Sequence, residues 1–176
     1  MEKQSVVFLG DSLTEWGNWQ ELFPEKKIIN CGIAGNTTGD ILDRLEDVIK
    51  WNPQKLFLMA GINDLGNGDD AETTFTNYKK IVCRLEEACS GSEIYLLSVL
   101  PIDTDRFYNP KLDEQQITQL NARIRNLAVG KGCNFIDMFD VFLAEDNNLN
   151  DELSPDGLHL NNDGYLLWKS LVEKYL

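Results

Sequence analysis

The stretch that most limits the fold is Val6-Val7-Phe8-Leu9, an apolar run that stops abruptly at Gly10-Asp11-Ser12-Leu13. A short, unbroken run of this kind reads as a strand buried on both faces. Such strands belong to parallel sheets covered by helices, and open sheets of that type bind ligands beyond the carboxyl ends of their strands. Ser12 therefore falls where a nucleophile is useful. A serine hydroxyl is inert at neutral pH without a base in hydrogen-bond reach, and the chain contains one histidine, His159. Alone, Gly-Asp-Ser is an ordinary turn sequence; three later stretches change that.

The rest of the chain alternates strand and helix signals. Leu13 to Phe23 reads as a helix stopped by Pro24, and Ile28 to Ile33 as a second strand followed by the Gly35-Asn36-Thr37-Thr38-Gly39 loop. From Asp40, the apolar positions Ile41, Leu42, Leu45, Val48 and Ile49 predict a helix that ends before Asn52-Pro53. Leu56 to Ala60 is a third strand, and Gly61 to Gly68 a polar, glycine-rich loop. A helix carrying Phe75, Tyr78, Ile81, Val82 and Leu85 leads to a fourth strand, Ile94 to Val99. After an irregular stretch from Pro101 to Pro110, Ile117, Leu120, Ile124 and Leu127 mark a helix ended by Gly130 and Gly132. Asn134 to Ile136 is a fifth strand, the Asn-rich segment to Pro155 a long loop, and Tyr165 to Tyr175 a closing helix with Asn161 as N-cap.

Five strands joined by helices imply a parallel sheet, since each parallel connection needs a crossover. The predicted architecture is α/β, a three-layer α/β/α sandwich with a five-stranded parallel sheet, in one domain over residues 1–176. Ser12, Gly35, Asn63 and His159 then follow strands one, two, three and five, and share one edge of the sheet.

Asp156 precedes His159 by three residues, close enough to accept from Nδ1 and leave Nε2 facing Ser12. Ser12, His159 and Asp156 could thus form a nucleophile, base and orienting carboxylate. The backbone N–H groups of Ser12 and Gly35 and the Asn63 amide could together form an oxyanion hole. Taken singly, Ser12, Gly35, Asn63 and Asp156 also suit plain turns, and His159 an ordinary surface position or helix start.

Together, Gly10-Asp11-Ser12-Leu13, Gly35 in its loop, Gly61-Ile62-Asn63-Asp64 and Asp156-Gly157-Leu158-His159 resemble the four sequence blocks of the SGNH (GDSL) hydrolases, in that family's order. The resemblance implies a flavodoxin-like sandwich and an esterase with Ser12 as nucleophile, His159 as base and Asp156 as its partner. It further implies Gly35 and Asn63 as oxyanion donors, and no metal or organic cofactor. Asp11 is expected to order the nucleophile loop. The Trp19-Gln20-Glu21-Leu22-Phe23 stretch and the segment from Asn30 to Thr38 are similar to the platelet-activating-factor acetylhydrolase catalytic-subunit group and related acetylesterases. That likeness favours small acyl, above all acetyl, esters of carbohydrates or lipid-like alcohols. Alternatives within the same fold are a lysophospholipase/arylesterase-type lipolytic hydrolase and a non-catalytic carbohydrate-binding protein. Trp16, Trp19 and the stretches 65–69 and 101–110 could line the leaving-group side; aromatics at helical spacing are more often core than pocket, so Trp16 and Trp19 are left out of the site.

Composition narrows the partners. The 29 acidic and 16 basic residues leave a formal charge of −13, which repels nucleic acid and anionic membranes. No apolar stretch approaches the roughly 20 residues of a membrane span. Met1 to Gln4 run straight into the first strand, leaving no room for an export segment, and the expected location is cytoplasmic. Cys31, Cys83, Cys89 and Cys133 have no metal-binding spacing. One histidine equips the chain poorly for two-metal phosphoester chemistry, and no phosphate-binding glycine loop follows any strand.

Overall fold

The computed structural model describes residues 5–176; Met1 to Gln4, including the reading of an export segment, lie outside the described residues. In chain order the elements are β1 (Ser5–Gly10), α1 (Ser12–Glu15), α2 (Trp19–Leu22), β2 (Lys27–Gly32), α3 (Thr38–Asp43) and α4 (Leu45–Ile49). There follow β3 (Lys55–Met59), α5 (Ile62–Asn67), α6 (Ala71–Ala88), β4 (Glu93–Leu97), α7 (Glu114–Lys131), β5 (Asn134–Ile136), α8 (Phe139–Phe142) and α9 (Asn162–Val172). The strands form one parallel sheet in the order β2-β1-β3-β4-β5. The chain leaves β1 for β2 on one side and then crosses to β3 on the other. Their carboxyl ends therefore flank the switch point, where open α/β sheets form their ligand crevice.

Alternate residues of the strands feed two cores. On one face Val7, Leu9, Leu56, Leu58, Ile94 and Leu96 pack with buried residues of α3, α4, α6 and α7, among them Ile41, Val48, Ile81 and Leu120. On the other, Phe8, Phe57 and Tyr95 lie in register across β1, β3 and β4. Their rings stack with centroids 5.0 and 4.5 Å apart. Trp19 extends the stack onto Phe8 at 4.3 Å, and Trp168 of α9 meets Trp19 edge-on at 5.0 Å. The sandwich thus has three layers, as the strand pattern predicts.

Several boundaries differ from the sequence reading for identifiable reasons. The helix expected over 13–23 is two short helices, because the Trp19 indole N–H donates to Thr14 O at 2.7 Å. That carbonyl is the one a continuous helix would offer four residues on. The helix from Asp40 divides at Arg44, whose guanidinium reaches out of the turn to Gly10 O and Cys31 O. The expected loop at 61–68 contains α5, which forms because Ile62 and Leu65, one turn apart, are both buried. Gly130 lies inside α7, and Gly132 alone closes it. The segment read as a loop to Pro155 holds α8, an antiparallel bridge between Leu143 and Leu149, and a 3-10 turn at Asp151–Leu153. The closing helix ends at Val172, and Asn161 caps it by accepting from Gly164 N at 3.0 Å. All four cysteines are free thiols.

One constraint sets the position of α1. Gly10 and Gly32 are register partners at the ends of β1 and β2. A Cβ at Gly10 would stand 2.5 Å from Met59 O and 2.2 Å from Thr14 Oγ1, and one at Gly32 would stand 2.2 Å from Glu15 N. The sheet edge is cut away so that α1 can lie across it. Gly10→Ala is accordingly expected to lower unfolding free energy by about 3 kcal/mol through overpacking, measured by urea denaturation. Gly91→Ala, with nothing within 4 Å of the added carbon, is expected to change it by less than about 0.5 kcal/mol.

Candidate active site

Ser12 is the first residue of α1, directly beyond β1. Its Oγ lies 3.2 Å from His159 Nε2, and His159 Nδ1 lies 2.7 Å from Asp156 Oδ2. The fold thus brings together three residues from opposite ends of the chain. Asp156 is at once a turn residue and the partner of the imidazole: its Oδ1 accepts from the backbone N–H of Leu158 at 3.0 Å and of His159 at 2.8 Å. Partial burial pushes its carboxyl upward, but these bonds and the His159 ring outweigh that and hold it below the ordinary carboxylate range. The aspartate is therefore charged and oriented.

The turn bearing Asp156 and His159 is fixed from outside. Ser154 Oγ accepts from Gly157 N at 2.9 Å, Asp103 N donates to Gly157 O at 2.8 Å, and the Arg106 guanidinium donates to the Ser154 and Pro155 carbonyls. In the 101–110 stretch, then, Asp103 and Arg106 hold this turn. Asn109 and Lys111 bind the carbonyls of Gly66 and Asn67 at 3.1 and 2.9 Å, joining it to the end of α5.

Gly35 has a positive φ of 78° in the loop after β2. Asn63, in the first turn of α5, donates from Nδ2 to Asn36 O at 3.0 Å, which aligns its amide beside that loop. The amide carries a second N–H. Asp64 completes the clamp, accepting from Thr38 N and from the Thr38 hydroxyl. Among the described residues, the backbone N–H groups of Ser12 and Gly35 have no acceptor. Three donors with capacity to spare thus lie on adjoining segments at the carboxyl edge.

Asp11 is buried and caps α1 by accepting from Leu13 N at 3.0 Å, while its Oδ2 has no hydrogen-bond partner. Burial pushes its carboxyl up to about 7, against the pull of the Leu13 N–H and with a further push from Asp64. Burial also raises Asp64.

Sequence reasoning missed several residues here. Trp16 is not core: it is 54% exposed, and its ring lies 4.2 Å from the His159 ring, tilted by 33°. Its position one turn beyond Ser12 was the available signal. Trp19 is core, at 1% exposure. Arg44 and Tyr165, whose hydroxyl donates to Leu13 O at 2.9 Å, and the Arg106 clamp carry no local signal, because their partners are distant backbone carbonyls. Among the described residues no cluster of three His, Cys, Asp or Glu side chains could hold a metal ion, and no helix is long and apolar enough to cross a membrane.

A serine within reach of an aspartate-bound imidazole, at the carboxyl edge of a parallel sheet, is an arrangement shared by serine hydrolases of several kinds, and known proteins of similar sequence and fold place this chain among the ester hydrolases. Residues 8–167 match the GDSL-like Lipase/Acylhydrolase family, and the chain belongs to it. It is 29% identical over 171 residues to the human platelet-activating factor acetylhydrolase IB subunit alpha1, covering 93% of this chain and 71% of that one. A Bacteroides fragilis structure, provisionally described as an acylhydrolase, superposes with a TM-score of 0.88 at 28% identity, covering 98% and 86% of the two chains. An acetyl xylan esterase structure superposes with a TM-score of 0.80 at 26% identity, covering 98% and 99%. The chain is thus a carboxylic ester hydrolase of the SGNH type.

Asp11 generates a pH prediction. Its folded pKa of about 7 exceeds the unfolded value of about 3.9, so the folded state holds this proton more tightly. Its contribution is therefore most favourable below about pH 4, and stability is lost as pH rises toward 7. Asp11→Asn keeps an acceptor for Leu13 N and removes the ionisation. Relative to wild type, the variant is expected to gain stability between pH 4 and pH 8, by up to about 4 kcal/mol, in urea titrations at each pH. Parallel stability curves would overturn the assignment.

Proposed function

We propose that this chain is a serine esterase that hydrolyses small acyl esters, acetyl esters above all, through an acyl-enzyme on Ser12. The observation that carries the reading is the continuous contact Ser12 Oγ to His159 Nε2 at 3.2 Å and His159 Nδ1 to Asp156 Oδ2 at 2.7 Å. Ser12 Oγ attacks the acyl carbonyl carbon while its proton passes to His159 Nε2. The tetrahedral oxygen takes hydrogen bonds from the backbone N–H groups of Ser12 and Gly35 and from the free N–H of the Asn63 amide. Collapse breaks the ester C–O bond, and His159 returns the proton to the leaving alcohol. Water then attacks the acyl-enzyme with His159 again as base, releasing the acid and restoring Ser12. Asp156 keeps Nδ1 protonated and stabilises the imidazolium.

The acetyl preference is supported by the names of the relatives, an acetylhydrolase subunit and an acetyl xylan esterase. Candidate alcohols are the hydroxyls of carbohydrates and lipid-like alcohols.

A p-nitrophenyl ester series from acetate to octanoate, with chelator present, tests this proposal. Hydrolysis is expected to be fastest on acetate, and Ser12→Ala is expected to lower kcat by roughly 10⁴-fold or more. Undiminished activity in Ser12→Ala would sink the mechanism, while a maximum on octanoate would sink the acetyl preference. Asn63→Ala removes one oxyanion donor and is expected to lower kcat by about 10²- to 10³-fold, with acylation of Ser12 still detectable by mass spectrometry.

A further inference from the structure

Beside His159 lies a groove of about 450 Å³ between the start of α9 and the turn joining α1 to α2; Trp16, Asn18, Glu21, Leu22, Asn162 and Tyr165 are among its lining residues. Its volume is that of a small-molecule site. Trp16 connects it to the chemistry: its backbone N–H donates to Ser12 O at 3.0 Å, and its ring lies against the His159 ring. A half-exposed indole is an unfavourable surface in water, and this one is presented within one residue's reach of the leaving-group proton donor.

We propose that this groove receives the alcohol half of the ester, and that its occupant is a sugar ring stacked on Trp16. The inference rests on the esterase reading for the groove's role and deepens it by naming the substrate class. The lining decides between alcohols. A pyranose has an apolar C–H face that packs on an indole and a rim of hydroxyls that need donors and acceptors. Asn18, Glu21 and Asn162 are exposed along the groove, and the Asn18 amide, although at an N-cap position, caps nothing. Asn161, by contrast, is committed to Gly164 N and Glu152 O, and the Tyr165 hydroxyl to Leu13 O. The groove thus offers the flat Trp16 indole, with Leu22 and Leu160 beside it, and amide and carboxylate groups with free hydrogen-bonding capacity. An alkyl chain lying over those groups would cover them without offering partners, whereas sugar hydroxyls supply both donors and acceptors. A quaternary ammonium would find one exposed indole rather than an aromatic cage.

Two measurements test the proposal, one of them independent of catalysis. Methyl β-xyloside, methyl β-glucoside and methyl β-galactoside are titrated into the Ser12→Ala protein while the indole N–H resonances are followed by NMR. At least one glycoside is expected to shift the Trp16 resonance saturably, the peak being assigned by its loss in Trp16→Phe; choline and 1-hexanol are not. In the second measurement, kcat/KM for the O-acetylated form of the binding glycoside is divided by that for ethyl acetate, whose alcohol is too short to reach the groove. Trp16→Ala is expected to lower this ratio about tenfold or more through KM for the sugar ester, Trp16→Phe to retain most of it, and Asn162→Ala to lower it severalfold. A Trp16 resonance that answers to hexanol or choline but to no glycoside would overturn the proposal, as would an unchanged ratio in Trp16→Ala. If glycosides shift Trp16 but wild type hydrolyses no ester, the esterase reading fails and a sugar-binding groove remains.

Discussion

The close seating of α1 on the ends of β1 and β2 is the constraint on which the rest of the site depends. A helix of four residues has no independent stability in water, so its position must be imposed. Gly10 and Gly32 provide the space, and contacts from the flanking layers supply the grip. Arg44 binds Gly10 O and Cys31 O from one side. Trp19 and Tyr165 bind Thr14 O and Leu13 O from the other. Ser12 Oγ is placed by the backbone beneath it rather than by its own side-chain contacts, leaving the hydroxyl free to meet His159.

This arrangement concentrates electrostatic cost beneath Ser12. Asp11 and Asp64 are both buried, and burial raises both. Asp64 is compensated by Thr38, but one Asp11 oxygen has no partner. Unfavourable burial of this sort is tolerated where surrounding packing over-determines the structure. Here the surroundings are the ring stack from Tyr95 through Phe57 and Phe8 to Trp19, directly under α1. The same aromatic layer carries α9, whose approach begins at His159.

The second half of the site is assembled on different principles. Asp156 and His159 sit on a turn without regular structure, and hydrogen bonds from Ser154, Asp103 and Arg106 take the place of a helix or strand. Asp156 orders both the backbone of that turn and the imidazole above it. One carboxylate thus couples loop geometry to ring orientation. Trp16 then links the two halves, standing on the serine's helix and packing on the histidine's ring.

Much of this was legible in the chain. The buried strands, their parallel arrangement and the long helices α6 and α7 follow from local signals, namely uninterrupted apolar runs and helical periodicity, whereas Ser12, Gly35, Asn63, Asp156 and His159 stood out as candidates only when taken together, since each alone suits an ordinary turn or surface position. Signals of that kind reach only a few residues along the chain. The split of the first helix, the helix at 62–67 and the clamp of Arg106 were not legible, since each depends on a side chain meeting a carbonyl or a core that sequence neighbours do not supply. Trp16 marks the boundary. Its place one turn beyond Ser12 was determined by sequence, but whether it was buried with Trp19 or left against His159 was decided by tertiary packing. The two tryptophans have the same hydrophobicity, and only the position of the sheet, α9 and the histidine turn distinguishes the side of α1 that is covered from the side that stays open.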